Sequence, residues 1–381
     1  MRSCRSRTML TRMETTVGPR TVTGAPLADL LGQTGTWLDT RLGLSALRYR
    51  VPAHANTFWY TLGGMTFVGM LVLVVTGVWL GQYYNPDPAA ARESVLYIQD
   101  IVPLGDIARG IHVWAAYLVV ITALIHLLRV FASASYKIPR EVNWLVGVGL
   151  LGLLLFGEVF TGTVLRWDQE AYEAMSHNMV AANLVAGFGA FLSHAFTTSV
   201  AMLPRLYIAH VSILPLVLAL LLVAHFFLVK VHGISPTVAQ ADAGRALSGK
   251  LPKELLTGSY TTHTRLMVGY GLTLLGIAGV LALLAPQVIG VAADPSMEVT
   301  KPAFLFYWVY PFEDWFGVKG ILYGAIGLFA FLVLVPFVDR GPARALRARL
   351  PITLVATLVL LAVIGLSVRT ALEPTARHLG M

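Results

Sequence analysis

Four histidines in the apolar part of the chain can do chemistry that their neighbours cannot. His112 and His126 stand 14 residues apart in ARGIHVWAAYLVVITALIHLLRVF, and His210 and His225 stand 15 apart in LYIAHVSILPLVLALLLVAHFFLVKVHG. In an α-helix 14 residues turn through about 1400°, about 40° short of four turns, and 15 overshoot four turns by about 60°. Each pair therefore lies roughly on one helix face, with its members about 21–23 Å apart along the axis. That interval gives two levels within a hydrocarbon core about 30 Å thick. Two such helices side by side would offer one imidazole each at each level. The result is two bis-histidine sites, and imidazole is an axial ligand of haem iron. A single intramembrane histidine can be an ordinary hydrogen-bonded core residue. Four in two matched pairs read as ligands, because ionisable residues in membrane spans are rare and functional.

The elements that must carry them are membrane helices. Of 381 residues, 13% are charged, against about 25% in soluble domains. Stretches long enough to span occur at 58–82, 107–131, 143–165, 205–231, 264–286, 317–338 and 350–368, the last being the shortest. The expected fold is therefore an all-α integral membrane protein, a four-helix dihaem bundle followed by three further spans. The expected divisions are an N-terminal arm 1–57 with a surface helix near 27–43, the bundle 58–231, a linker 232–263, a three-helix part 264–368 and a tail 369–381. The N-terminal arm has no apolar leader segment and reads as a cytoplasmic lead. The one cysteine, Cys4, excludes an internal disulfide and a Cys-ligated iron–sulfur or zinc site.

The net charge of +8 follows the membrane rather than a nucleic acid. With seven crossings and the N-terminus inside, only Arg92, Arg109, Arg166, Arg205, Lys301, Lys319, Arg369 and Arg377 of the 28 Lys and Arg fall outside. The positive-inside rule then puts the N-terminus in the cytoplasm and the C-terminus outside, in a bacterial plasma membrane.

Other residues fit around the histidines. Gly63 and Gly77 are 14 apart in the first span, and Gly147 and Gly162 are 15 apart in the third, repeating the two histidine intervals. Glycine permits close approach of a flat macrocycle, or else ordinary small-residue helix packing. Arg109 and Arg129 flank His112 and His126 at three residues' distance, on the histidine face. They suit haem propionates or interfacial snorkelling. Glu158 is a carboxylate inside the third span, and so a functional candidate or a hydrogen bond to a neighbouring helix. The loop 287–316 contains KPAFLFYWVYPFEDWFG, aromatic enough for an interfacial belt or the wall of a lipid-soluble substrate pocket.

PAHANTFWYTLGG, RGIHVWAA, IHLLRVF, YKIPREVNW, VLRWDQ and HFFLVKVHGISP together resemble the cytochrome b/b6 family, the haem subunit of quinol-oxidising bc complexes. The match runs from about Pro52 to Pro236 and more weakly to Val368. It is nearest the b6 branch, with that branch's three-helix companion subunit joined in one chain. The resemblance implies a low-potential haem b on His112 and His210 near the outer face, and a high-potential haem b on His126 and His225 near the cytoplasm. It implies quinol oxidation outside, near Trp167 and the 287–316 loop. One electron would pass to a Rieske iron–sulfur protein and on to a c-type cytochrome, the other inward through the haems. It also implies quinone reduction near Lys230, proton translocation, and a homodimer within the complex.

Three departures follow from the same resemblance. The branch's covalent third-haem cysteine falls at Thr61, so no covalent third haem is expected. Arg166 stands where a proline usually precedes the tryptophan. The outer-site PEWY motif reads Pro302-Ala303-Phe304-Leu305, so its glutamate, the expected proton acceptor, is missing. Glu313, Asp314, Glu158, Glu170 and Glu173 are the substitutes. Glu313 is favoured for its longer arm and its aromatic neighbours Trp315 and Phe316, which would desolvate it. Otherwise Glu313 and Asp314 merely solvate a surface turn. Two other classes fit parts of the pattern: a dihaem anchor of another quinone-linked oxidoreductase, and a non-catalytic haem-binding or ion-conducting bundle.

Overall fold

The computed structural model describes residues 27–43, 45, 48–184, 193, 197, 199–244 and 250–375. Cys4, Arg377 and most of the Gly/Ala/Phe-rich stretch after Leu184 lie outside them. The chain divides into two compact units, Met1–Arg48 and Tyr49–Met381. In the first, the helix Leu27–Leu42 matches the expected surface helix in position.

The second unit is helical because a lipid-facing backbone must satisfy its hydrogen bonds internally. Among the described residues, seven helices are long and apolar enough to cross a membrane: Phe58–Leu80, Gly105–Ala132, Glu141–Val164, Met202–His232, Tyr260–Leu284, Lys319–Val338 and Leu346–Leu372. They are numbered here as spans one to seven. The fifth begins four residues before its expected start. A two-residue strand, Gly258–Ser259, pairs antiparallel with Arg50–Val51 and leads directly into it. The Tyr260 N–H donates to Tyr49 O at 3.0 Å, and the two tyrosine rings stack at 4.3 Å. The shortest span is the sixth, at 20 residues, and not the seventh, which runs for 27. Arg369 ends the apolar run without ending the helix, because its guanidinium reaches Glu373 at 2.7 Å and Asp314 at 3.4 Å. Lys301 Nζ then donates to the Thr370 carbonyl at 2.6 Å.

The linker separates spans four and five in sequence. In space, span five packs on spans one and two. The contacts pass through small residues, as is usual between membrane helices. A Cβ on Gly110 would come 2.8 Å from Ala282 Cβ, and one on Gly271 would come 2.4 Å from Val68 Cβ. Span six lies on span three, where Trp144 Nε1 donates to Leu332 O at 2.7 Å and Phe156 meets Phe329 edge-on.

At the His126 end a buried ionic network ties the segment after span two to the segment between spans six and seven. Lys137 Nζ donates to Asp339 Oδ1 at 2.8 Å and to the carbonyls of Gly341 and Ala343, each at 2.7 Å. Tyr136 donates its hydroxyl to Asp339, and Arg349 reaches the same carboxylate at 3.2 Å. Asp339→Ala would strand two buried cations. That should cost about 3–5 kcal/mol, the usual penalty for removing one member of a buried pair, and show as an early thermal transition in detergent. An unchanged transition would mean that water reaches the network.

Candidate functional site

Span two carries His112 and His126, and span four carries His210 and His225. The rings of His112 and His210 face each other with centroids 6.4 Å apart and planes at 70°. A metal bound to two imidazoles at about 2 Å each sets the ligating nitrogens about 4 Å apart, with the ring centres further out on both sides. The observed separation suits that arrangement. The other nitrogen of each ring is already held. Thr76 Oγ1 lies 2.8 Å from His112 Nδ1, and Thr161 Oγ1 lies 2.9 Å from His210 Nδ1. Both threonines can donate their own hydroxyl to a carbonyl one turn back, Val72 O at 2.8 Å and Gly157 O at 2.7 Å. They therefore accept from Nδ1–H, which fixes the tautomer that leaves Nε2 to ligate. His126 and His225 interact electrostatically at the other end of the same helices.

Each of the four glycines abuts one of the four histidines. A Cβ on Gly77 would stand 3.2 Å from His112 Cε1, on Gly162 3.1 Å from His210 Cε1, on Gly63 3.1 Å from His126 Cε1, and on Gly147 3.8 Å from His225 Cε1. The matched intervals therefore clear the imidazoles themselves, tightly at three positions and with ordinary contact at Gly147. Arg109 is buried and donates to Gln99 Oε1 at 2.8 Å and Gln287 O at 2.6 Å. Its Nη2 is buried with no hydrogen-bond partner among the described residues, which suits an anionic group nearby. Arg129 instead lies over the Tyr60 ring at 4.2 Å and donates to Trp59 O at 3.1 Å.

The carboxylates at the His112 end have distinct partners. Glu158 Oε2 lies 3.0 Å from His210 Nδ1. Glu170 is paired with Arg166 at 2.6 Å, so the arginine in place of proline forms a local ion pair. Glu173 accepts from Gln169 Nε2, Val299 N and Thr300 N, at 2.8–2.9 Å, and from the Thr300 hydroxyl. Asp314 faces Arg369. Glu313 is only 2% exposed and lies 3.1 Å from His177 Nε2, which is also 3.3 Å from Glu298. Trp315 and Phe316 are more than half exposed and do not enclose Glu313; it is desolvated by turning inward. Burial works against a charged His177, but the Glu313 carboxylate 3.1 Å away outweighs it and holds its pKa above the ordinary histidine value. Sequence reasoning passed over His177 and Glu298. The only signal was a histidine one turn after Glu173, which the ring uses through Nδ1 to the Glu173 carbonyl at 2.7 Å.

The Trp167-Asp168-Gln169 run pins the loop before span six. Trp167 takes a left-handed backbone, φ 55°, and donates Nε1 to Pro88 O at 2.9 Å. Asp168 Oδ2 accepts from Gly290 N at 2.9 Å, and Gln169 Oε1 from Asp294 N at 2.6 Å. The Ala303 segment follows directly, with Phe304 against Tyr117 of span two and Phe306 against Phe156 of span three. Lys230 is exposed, with Nζ 3.3 Å above the Tyr49 ring.

The site and fold define a multi-pass helical membrane protein with imidazoles paired between two spans. The family described as cytochrome b/b6/petB matches residues 47–233. Cytochrome b6 of Heliobacterium mobile is 40% identical over 209 residues, which are 52% of this chain and 98% of that protein. The menaquinol:cytochrome c reductase cytochrome b subunit of Bacillus subtilis (strain 168) is 36% identical over 54% of this chain and 99% of its own length. The cytochrome bc complex cytochrome b subunit of Chlorobaculum thiosulfatiphilum is 34% identical over 76% of this chain and 68% of that one. A chain of a solved structure, "Hyperthermophilic respiratory Complex III", has the same fold, with TM-score 0.74 at 22% identity, covering 90% of this chain and 93% of that one. The chain belongs to the cytochrome b/b6 family, and membership implies b haems. The residues fit them: His112 and His210 face each other with Nδ1 anchored, glycines clear all four imidazoles, and a buried arginine has an uncommitted donor, while Nδ1 of His126 and of His225 is buried with no partner among the described residues.

Thr61 is fully buried and donates its hydroxyl to Phe58 O at 2.8 Å. With no cysteine in that span, no haem should survive denaturing electrophoresis as an adduct. A haem-stained band at the mass of the chain would contradict this.

Proposed function

We propose that this chain is the cytochrome b subunit of a bc-type quinol oxidoreductase in a bacterial plasma membrane, with its N-terminus cytoplasmic. His112 and His210 hold one haem b near the outer face, and His126 and His225 hold the second near the cytoplasm. These groups supply one-electron transfer between an outer quinol-oxidising site and an inner quinone-reducing site. Arg109 offers its uncommitted donor to a propionate, and the glycines give the imidazoles room to align. Quinol oxidation releases two electrons and two protons. Glu313 takes one proton and hands it to His177, an imidazole that is not one of the four ligands and that lies 3.1 Å away. The Trp167-Asp168-Gln169 staple holds the segment in which Ala303 replaces the expected glutamate. The partners are a Rieske iron–sulfur protein, a c-type cytochrome and a second copy of the chain. Lys230 serves the inner quinone site.

The observation that carries this reading is the facing of His112 and His210, with Nδ1 of each anchored by a threonine beside a glycine. A pyridine haemochrome assay on the purified complex should give two haems b per chain, and a quinol should reduce them in an inhibitor-sensitive way. Ala303 supports a second reading, a haem scaffold without quinol chemistry. That reading gains if both haems are present and quinol reduces neither. A preparation without haem would overturn both.

A further inference from the structure

The two threonine–glycine pairs make the outer imidazoles look equivalent. Thr76-Gly77 serves His112, and Thr161-Gly162 serves His210, with nearly equal hydroxyl distances of 2.8 and 2.9 Å. Glu158 breaks the equivalence. Its Oε2 lies 3.0 Å from the same Nδ1 that Thr161 touches, and its side chain is only 18% exposed. His112 has a threonine there and no carboxylate within salt-bridge distance among the described residues. Glu158 sits in a π-helical turn, Leu153–Val159, and His210 sits in another, Ala209–Ile213. Such turns are rare, and where they occur they are frequently at functional sites.

We infer that Glu158 is a positioning residue that accepts the His210 Nδ1–H and thereby lowers the midpoint potential of the outer haem relative to the inner one. The inference rests on the ligation proposed above. The Nδ1–H is hydrogen-bonded to Thr161 at 2.9 Å and has the Glu158 carboxylate at 3.0 Å, and of two acceptors within reach the carboxylate gives the stronger, charge-assisted bond. A carboxylate acceptor makes the imidazole a better electron donor to the metal. Axial-ligand donation and hydrogen bonding beyond the ligand are the levers by which a protein sets a haem potential. More donation stabilises ferric over ferrous iron, so the potential falls. A low outer and a higher inner potential drive electrons from the outer site toward the inner one.

The test is a redox titration of the complex, with both haems resolved optically and by low-spin ferric EPR. Glu158→Gln keeps the side-chain length and a weaker acceptor. It should raise the potential of one haem, by about tenfold in its ferrous/ferric ratio at fixed potential, ~59 mV for a one-electron couple. The other haem should not move. Thr161→Val removes the neutral acceptor and leaves the carboxylate, so it should move the same haem much less. Glu158→Asp should recover part of the wild-type potential. The EPR signal of the same haem should shift in Glu158→Gln, which a purely structural role would not produce. If Glu158→Gln does not assemble, the smaller shifts in Thr161→Val and Glu158→Asp still decide the point. Unchanged potentials in every variant that retains both haems would overturn the inference. Absence of b haems from the wild-type complex would instead overturn the ligation on which it rests.

Discussion

His210→Ala should leave a complex with one b haem in place of two, and His112→Ala should do the same to the same spectral component. The outer rings stand 6.4 Å apart on different spans, so neither can supply both axial positions. Removing one leaves the group held from a single side. The space that opens at His112 is lined by Thr76 and Gly77, neither a strong ligand, and the space at His210 by Thr161, Gly162 and the Glu158 carboxylate, whose binding in place of imidazole would change the low-spin spectrum. Second-sphere changes at metal sites typically cost 10–100-fold in affinity, and losing a ligand outright should cost more. His126→Ala and His225→Ala should remove the other component. The readouts are haemochrome stoichiometry and the α-band of dithionite-reduced membranes. Retention of both components with unchanged low-spin spectra in any variant would remove that histidine from the ligand set. Gly162→Val and Gly77→Val should act through the same contacts. A Cβ there would press on His210 or His112 at 3.1–3.2 Å, and the extra methyls would turn the ring.

The histidine pairs were legible in sequence because one number, the helical period, converts spacing into geometry. The glycine intervals were legible for the same reason, but the side chain each glycine meets was not. They clear the imidazole rings, a contact between neighbouring spans that no single-helix argument contains. The ends of spans were least legible. Apolarity stops at Arg369, yet the helix continues because Asp314 and Glu373 accept the charge. Long-range polar contacts were invisible: Glu158 meets His210 across two spans, and Gln169 meets Asp294 across 125 residues of chain. Five carboxylates stood as replacements for the missing glutamate, with Glu313 favoured only for its longer arm and aromatic neighbours. Their partners, fixed only by folding, separate them into an ion pair with Arg166, a loop staple, an ion pair with Arg369, a contact to His210 and a contact to His177.

Glu313→Gln should slow quinol oxidation by about 10²–10⁴-fold, the usual contribution of a positioned acid–base group, with both haem spectra intact. Glu170 and Asp314 each face an arginine, and Glu173 is filled by four donors from its surroundings. Of the five candidates only Glu313 faces a non-ligand imidazole, and Glu298 lies beside the same Nε2 of that imidazole. The cluster can therefore take a proton in and pass it on. His177 is held above the ordinary histidine value by Glu313 against the opposing effect of burial. A protonated His177 has no room for a further proton, so wild-type oxidation should rise with pH through a value above about 6.5, the ordinary histidine pKa. Removing the Glu313 charge should move that rise to lower pH as well as lowering its plateau. The linked stability has the opposite sign. A folded-state pKa above the unfolded one stabilises fully below the unfolded value, and that contribution is lost as pH rises through the raised value. A stability gain over the same interval would be inconsistent with the assignment. Normal turnover in Glu313→Gln, with Glu158→Gln crippled instead, would move proton acceptance to the third span.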